Sequence, residues 1–253
     1  MNRNIKTDSI ILRSRRIGEL HKGLSCLTRS YGIIDAIAYG AGKGKSKLSG
    51  LVDPFSLLSL NFYYDPVRDS YKISDIEQMT IFPNIRLELG KFYIASFWAE
   101  LILKSYSGGG ESEMVYPLLS QSLIILDNVN KGDQSLILIQ FIWRYLEISG
   151  FQPDIKHCDK CSKDLLDSDS VLFDEGSNEI ICSDCRAGIE MLQFSSGAIR
   201  YLRYTSELSI EKSMKIGLDK KSIDLLKRIL LAMVQGVIEY PLNTLKKGLI
   251  YHT

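Results

Sequence analysis

"YGAGKGKSKLSG", residues 39–50, holds four glycines and sets Lys43, Lys45 and Lys47 among them. Two folds compete for such a stretch. A nucleotide loop needs Gly, four residues, then Gly-Lys-Ser or Gly-Lys-Thr, and it must open a helix that follows a strand. Gly44-Lys45-Ser46 supplies the triplet, but the place of the first glycine is taken by Tyr39, and Gly40 leaves only three intervening residues. The following "KLSGLVDPFSLL", 47–58, is broken by Gly50 and Pro54, so no helix is expected there. The better reading is a basic loop joining two strands of a small barrel.

The flanks support a barrel. "SIILR" (9–13), "LSCLTR" (24–29), "GIIDAIAY" (32–39), "LLSLNFYY" (57–64) and "SYKISDI" (70–76) are short apolar and aromatic runs bounded by Gly, Asp, Asn or Ser. Five such strands suit an OB-fold, with an SH3-like barrel as the runner-up. Beyond Pro83 the period changes. Residues 85–106 place Leu89, Phe92, Tyr93, Ser96, Phe97 and Leu101 at spacings of three and four, which predicts an amphipathic helix. "SGGGESE" (107–113) breaks it. Helices are expected at 114–129 and 133–150, with Asp133 as N-cap and Gly150 just past the end. The second is apolar all round and so central to a bundle. Helical spacing returns at 195–207 and 219–240. The expected class is α+β: an OB-fold domain at 1–80, then a helical domain at 81–253 with a cysteine-bearing insertion at about 151–186.

Of 253 residues, 45% are hydrophobic and 24% charged, the mix of a globular protein. The N-terminal residues lack an apolar run of signal-peptide length, so a cytoplasmic protein with reduced thiols is expected. Net charge is only +1, but it is unevenly spread. Residues 1–50 carry ten Lys/Arg against three Asp/Glu, and 151–185 carry three against nine. The basic N-terminal segment suits an anionic partner.

Cys158 and Cys161 form one C-x-x-C, Cys182 and Cys185 another, with twenty residues between. Each pair makes a tight knuckle that aims two thiolates at one point, and two knuckles complete a tetrahedron. The sequence between them reads as a hairpin turning near Gly176-Ser177-Asn178. Four thiolates leave no open position, so a structural Zn2+ is expected rather than a catalytic one. His157 is left outside the ligand set, and Cys26 is read as a core residue.

Arg13, Arg15 and Arg16 on the first strand extend the charge of Lys43, Lys45 and Lys47. OB-folds bind single strands by a charged groove with aromatic platforms, and Phe62, Tyr63, Tyr64 and Tyr71 offer aromatic side chains. The three histidines, His21, His157 and His252, lie in no catalytic constellation, and no enzyme is expected. Competing readings are an RNA-binding barrel protein, a nucleotide-dependent enzyme using the 40–46 loop, and a scaffold.

"SIILRSRRIGE", "CLTRSYGIIDAIAYGAGKGKSKLSGLVDPFSLLSLNFY", "LEISGFQPDIKHCDKC", "FSSGAIRYLRY" and "VIEYPLNTLKKGLIY" follow in an order that resembles the RecO family of bacterial DNA-repair proteins. The resemblance covers nearly the whole chain. It implies an OB-fold followed by a helical domain with a zinc module. It implies binding of single- and double-stranded DNA, annealing of complementary strands, and work with RecR to load RecA onto strands coated by single-strand-binding protein. It further implies a cytoplasmic, nucleoid-associated protein whose Lys and Arg faces at 195–207 and 219–240 dock the acidic tail of single-strand-binding protein.

Overall fold

The computed structural model describes residues 3–43, 50–106, 111–165, 168, 171–186, 191–238 and 240–246. The chain divides into two compact units, Met1–Asp127 and Asn128–Thr253.

The first unit is built on a closed barrel of five strands: β1 (Asn4–Ile17), β2 (His21–Thr28), β3 (Gly32–Ala38), β4 (Leu57–Asp65) and β5 (Ser70–Thr80), in the order β1-β2-β3-β5-β4. All five strands fall where the sequence predicts them, although β1 starts earlier and β5 runs further than the apolar runs suggest. Four of the five interfaces are antiparallel, and β3 meets β5 in parallel at Ala36–Tyr71 and Ile37–Lys72. Alternation fills the interior with Ile11, Leu24, Cys26, Ile34, Ala36, Leu58, Leu60 and Phe62. Burial pushes the Cys26 thiol up, with Asp35 adding to the effect, so this cysteine stays neutral as a core residue. A register shift between Ile11 and Arg13 leaves Leu12 as an extra residue. Beyond it Arg13 faces outward. From Gly50 to Phe55 the chain makes turns that lead into β4, with no helix of the kind a nucleotide loop requires.

Among the described residues three helices complete this unit: α1 (Pro83–Leu87), α2 (Leu89–Ser105) and α3 (Ser112–Asn128). The single helix predicted at 85–106 is interrupted at Glu88, whose backbone is extended (φ −102°, ψ 115°). The buried stripe of α2 runs through Lys91, Ile94, Ala95, Trp98, Leu101 and Ile102, and Leu89 and Phe92 are exposed. Phe97 and Leu101 of the predicted stripe are buried as well, so the stripe holds in the second half of α2 and fails at its start. α2 packs on β1, and Ile10 is as buried on the outside of the barrel as Ile11 is within it.

No side chain at Phe82 caps α1. The missing acceptor comes from Asp127, at the far end of α3. Its Oδ1 accepts from the Ile85 amide at 2.9 Å. Its backbone carbonyl accepts from Asn84 Nδ2 at 3.0 Å and Lys91 Nζ at 2.9 Å. Lys91, buried, completes its pairing with Glu88 at 3.0 Å.

The second unit contains α4 (Gln134–Ile148), strands β6 (Val171–Asp174), β7 (Glu179–Cys182) and β8 (Leu192–Phe194), then α5 (Ser196–Ser206), α6 (Ile210–Ser213), α7 (Lys220–Val237) and α8 (Asn243–Lys246). α4 is buried along nearly its whole length and packs on α7, as its all-round apolar sequence requires. Asp133 occupies the cap position but makes no side-chain cap bond, because a 3-10 turn at Lys131–Asp133 already holds it in a helical conformation. Gly150 stops the helix at φ +74°. There the Phe151 amide reaches Leu146 O at 2.8 Å and the Gly150 amide Glu147 O at 3.0 Å, a Schellman arrangement. Ser195 and Asp219 cap α5 and α7 with their side chains.

Asp127→Ala leaves the Ile85 amide buried without a partner. It should lower the unfolding free energy by about 1–3 kcal/mol in denaturant titration, with Asp127→Asn losing less.

Candidate metal centre and basic barrel face

Two knuckles and a hairpin assemble the cysteine cluster. The first knuckle closes when the Ser162 amide donates to Cys158 O at 2.8 Å, with Ser162 at φ +57°. Asp159 ties this knuckle to β7: its amide donates to Ile180 O at 2.8 Å and its Oδ2 accepts from the Ile180 amide at 2.6 Å. The hairpin β6–β7 runs in register from Val171–Cys182 to Asp174–Glu179. It turns where the sequence predicts, with Asn178 at φ +59°. β7 then delivers Cys182 and a 3-10 turn delivers Cys185. β8, which the sequence pattern does not predict, pairs with the other edge of β6.

The four sulfur atoms of Cys158, Cys161, Cys182 and Cys185 lie within 4.8 Å of one another. Cys161 and Cys182 are 3.7 Å apart. Four thiolates at about 2.3 Å from a central ion stand roughly 3.8 Å from each other, so this cluster has the size of a tetrahedral metal site. Its electrostatics match. Burial works against ionising Cys158, yet the amides of Cys182, Cys161 and Lys160 overcome it and bring this thiol down to about 6. The sulfurs of Cys161 and Cys182, with burial, push Cys185 up to about 12. Without a cation, one thiolate forces its neighbours to keep their protons; a metal ion removes that conflict. His157 turns away from the cluster and bonds Asp154 through Nδ1 at 2.7 Å.

The barrel carries the second candidate site. Strand register places Arg13, Ser25 and Asp35 in one row across β1, β2 and β3, and Arg15, Gly23 and Ile37 in the next. Arg13 donates to Ser25 Oγ at 3.3 Å, and Ser25 donates to Asp35 at 2.6 Å. Arg15 lies across Gly23, where a Cβ would come within 3.1 Å of its Nε. Arg16 sits in the row of Lys22 and Ala38 and so belongs to the opposite parity. Arg13 and Arg15 thus share the outer face, and Arg16 does not. Lys43 is exposed just after the end of β3. Lys45 and Lys47 lie outside the described residues.

Recombination protein O families match both halves of the chain, the N-terminal family over residues 1–82 and the C-terminal family over residues 86–246. The chain belongs to the RecO family. It is 28% identical to the DNA repair protein RecO of Dehalococcoides mccartyi over 93% of this chain and 91% of that protein. It is 29% identical to the protein of the same name from Desulforamulus reducens, over 94% and 90%, and 30% identical to that of Alkaliphilus metalliredigens, over 72% of each.

Of the four aromatic side chains offered for stacking in this RecO-family chain, Tyr63, Tyr64 and Tyr71 are half-buried. Phe62 is in the core. Tyr71 packs on it edge-on at 6.3 Å, Tyr64 bonds Asp69 at 2.5 Å, and Lys72 covers the Tyr63 ring at 4.5 Å. Several cations of the C-terminal helices are also inward. Lys227 is buried. Arg203 donates to Ile155 O at 2.6 Å and Leu165 O at 2.8 Å, on either side of the first knuckle. That role had no local sequence signal, since the two carbonyls lie 48 and 38 residues away. Arg200, Lys220, Lys221 and Arg228 remain exposed.

Arg203→Ala removes the anchor of both knuckle flanks. We expect the variant to surrender its metal at a chelator concentration roughly tenfold lower than native protein, read by a chromophoric chelator, as removal of a residue that supports the ligand loops generally does.

Proposed function

We propose that this protein is a DNA-binding mediator of recombinational repair. In this reading it binds single- and double-stranded DNA, anneals complementary strands, and with RecR helps RecA load onto single strands coated by single-strand-binding protein. The observation that carries the reading is the match of nearly the whole chain, residues 1–82 and 86–246, to one repair family.

The chemistry agrees. Annealing needs no catalytic residue. It needs two strands brought close with their phosphate charge neutralised and their bases left accessible. Arg13, Arg15, Arg16, Lys43, Lys45 and Lys47 would neutralise phosphates from the barrel. Among the described residues, Arg15 and Arg16 pair with no carboxylate, so their charge is available to an outside anion. The exposed Arg200, Lys220, Lys221 and Arg228 would receive the acidic tail of single-strand-binding protein. The cysteine cluster would hold Zn2+, because four thiolates at tetrahedral spacing suit a d10 ion. The surplus of acidic residues over 151–185 supports a structural role for that module rather than a phosphate contact. No helix among the described residues is long and apolar enough to cross a membrane.

Fluorescence anisotropy over a salt series tests the DNA reading. Native protein should bind a labelled single strand with an affinity that falls steeply as salt rises. Lys43→Glu/Lys45→Glu/Lys47→Glu should bind more weakly, with the log–log salt slope reduced by about 0.7 for each phosphate no longer neutralised. Equal binding by both would remove the loop from the interface, and equal affinity for matched RNA would favour an RNA-binding role. Elemental analysis should find one zinc per chain, absent from Cys158→Ser/Cys182→Ser.

A further inference from the structure

Three loops meet at one end of the barrel: the β1–β2 turn, the segment that leaves β3, and the β4–β5 turn. Each exposes an apolar side chain there. Leu20 is 45% exposed, Tyr39 39% and Val67 92%. The three loops are bonded to one another. Gly42 N donates to Leu20 O at 3.0 Å, Gly40 N donates to His21 Nδ1 at 3.1 Å, and Arg68 donates to the Tyr39 hydroxyl at 2.9 Å. The Tyr39 ring meets the His21 ring edge to face at 4.8 Å. Tyr39 is therefore an exposed aromatic ring fixed at its hydroxyl and against one neighbour, which is how a stacking surface is held ready.

The position of this ring gives it a role. His21 pairs with Ile17 in the row next to Arg15–Gly23–Ile37, two residues further along the strands. The step from the Arg15 row to the Tyr39–His21 row is about 7 Å by strand geometry. A chain lying along the outer face thus passes from Arg15 to Tyr39, and the Lys43 amide, bonded to Gly40 O at 3.2 Å, keeps Lys43 within one turn of that ring. Cations precede and follow an aromatic platform, with Arg68 beside it. This is the chemistry of an unpaired base with its flanking phosphates. A duplex presents no free base face to such a ring.

We propose that Tyr39 is a base-stacking residue of the barrel, held by Arg68 and His21, and that its ring favours single-stranded over duplex DNA. The proposal rests on the DNA-binding reading above and adds a residue that distinguishes strand state. Tyr39 directly precedes the glycine loop in sequence, and unlike Phe62 it is exposed.

The test compares native protein with Tyr39→Ala, Tyr39→Leu and Tyr39→Phe, using a labelled thymidine oligomer and a duplex of equal length. Tyr39→Leu keeps bulk against His21 and guards against a folding defect in the alanine variant, with circular dichroism as the check. We expect Tyr39→Ala and Tyr39→Leu to lose roughly tenfold in single-strand affinity, with duplex affinity within twofold of native, and Tyr39→Phe, which keeps the ring but loses the Arg68 bond, to fall between them and native. The salt slope should be unchanged, because no cation is removed. A 2-aminopurine base in the oligomer should be quenched on binding native protein and less so on binding Tyr39→Leu. Folded Tyr39→Leu with native single-strand affinity overturns the proposal, as does an equal loss on single strand and duplex. Native protein that binds neither substrate overturns the DNA reading itself, which separates the two failures.

Discussion

The barrel closes through two residue pairs, Ala36–Tyr71 and Ile37–Lys72. Every other strand interface is a long antiparallel ladder, and this short parallel seam turns a five-stranded sheet into a cylinder. Its position decides what lies at the rim. Because β3 meets β5 near the end of one and the start of the other, the segment leaving β3 emerges beside the β4–β5 turn. The Tyr39–Arg68 contact depends on that adjacency. Tyr71 stands at the seam and packs against Phe62, so the closure is held by the core as well as by hydrogen bonds. A slip of one residue at this seam would turn Ile37 inward and Ala36 outward, and the interior would have to hold a larger side chain.

The helical unit relies on two arginines that gather backbone carbonyls. Arg144, half-buried, donates to Thr205 O at 3.0 Å, Leu208 O at 2.8 Å and Ser213 Oγ at 3.0 Å, and also to Gln140 Oε1. It places a positive charge at the C-terminal end of α5, where unpaired carbonyls accumulate. Burial pulls its pKa below the usual arginine value, without approaching neutrality at physiological pH. Arg203 does the same for the loops around the first knuckle. α5 is thus fixed to α4 by one arginine and to the cysteine module by the other. These internal uses keep two cations of the helical unit engaged with its own carbonyls.

The barrel was legible because its strands alternate and because Gly50 and Pro54 forbid the helix a nucleotide loop would need. The cysteine cluster was legible because C-x-x-C spacing is a local property with a geometric consequence. Other features had no local signature. Leu87, Glu88 and Leu89 are all good helix formers, so the break between α1 and α2 is invisible in the pattern, and both leucines are exposed. β8 is three residues long and is defined only by its pairing with β6. The split of Arg13 and Arg15 from Arg16 follows from strand parity beyond a bulge, which charge counting cannot resolve. Asp127 caps a helix 42 residues away, and nothing near Ile85 announces it.

Gly42 stands at the root of the basic loop, and a Cβ there would come within 2.8 Å of Glu19 O and 2.8 Å of the Leu20 carbonyl carbon. Those are backbone atoms of a neighbouring turn and cannot swing aside. The glycine and the lysines that follow it are thus under different kinds of selection. Position 42 is fixed by sterics and admits one residue. Under the proposed function the cations after it would act through summed charge, so a lysine removed at one site could be replaced by one introduced nearby. Among descendants of this sequence, the direction in which the loop departs should be inherited far more faithfully than the order of the residues that carry its charge.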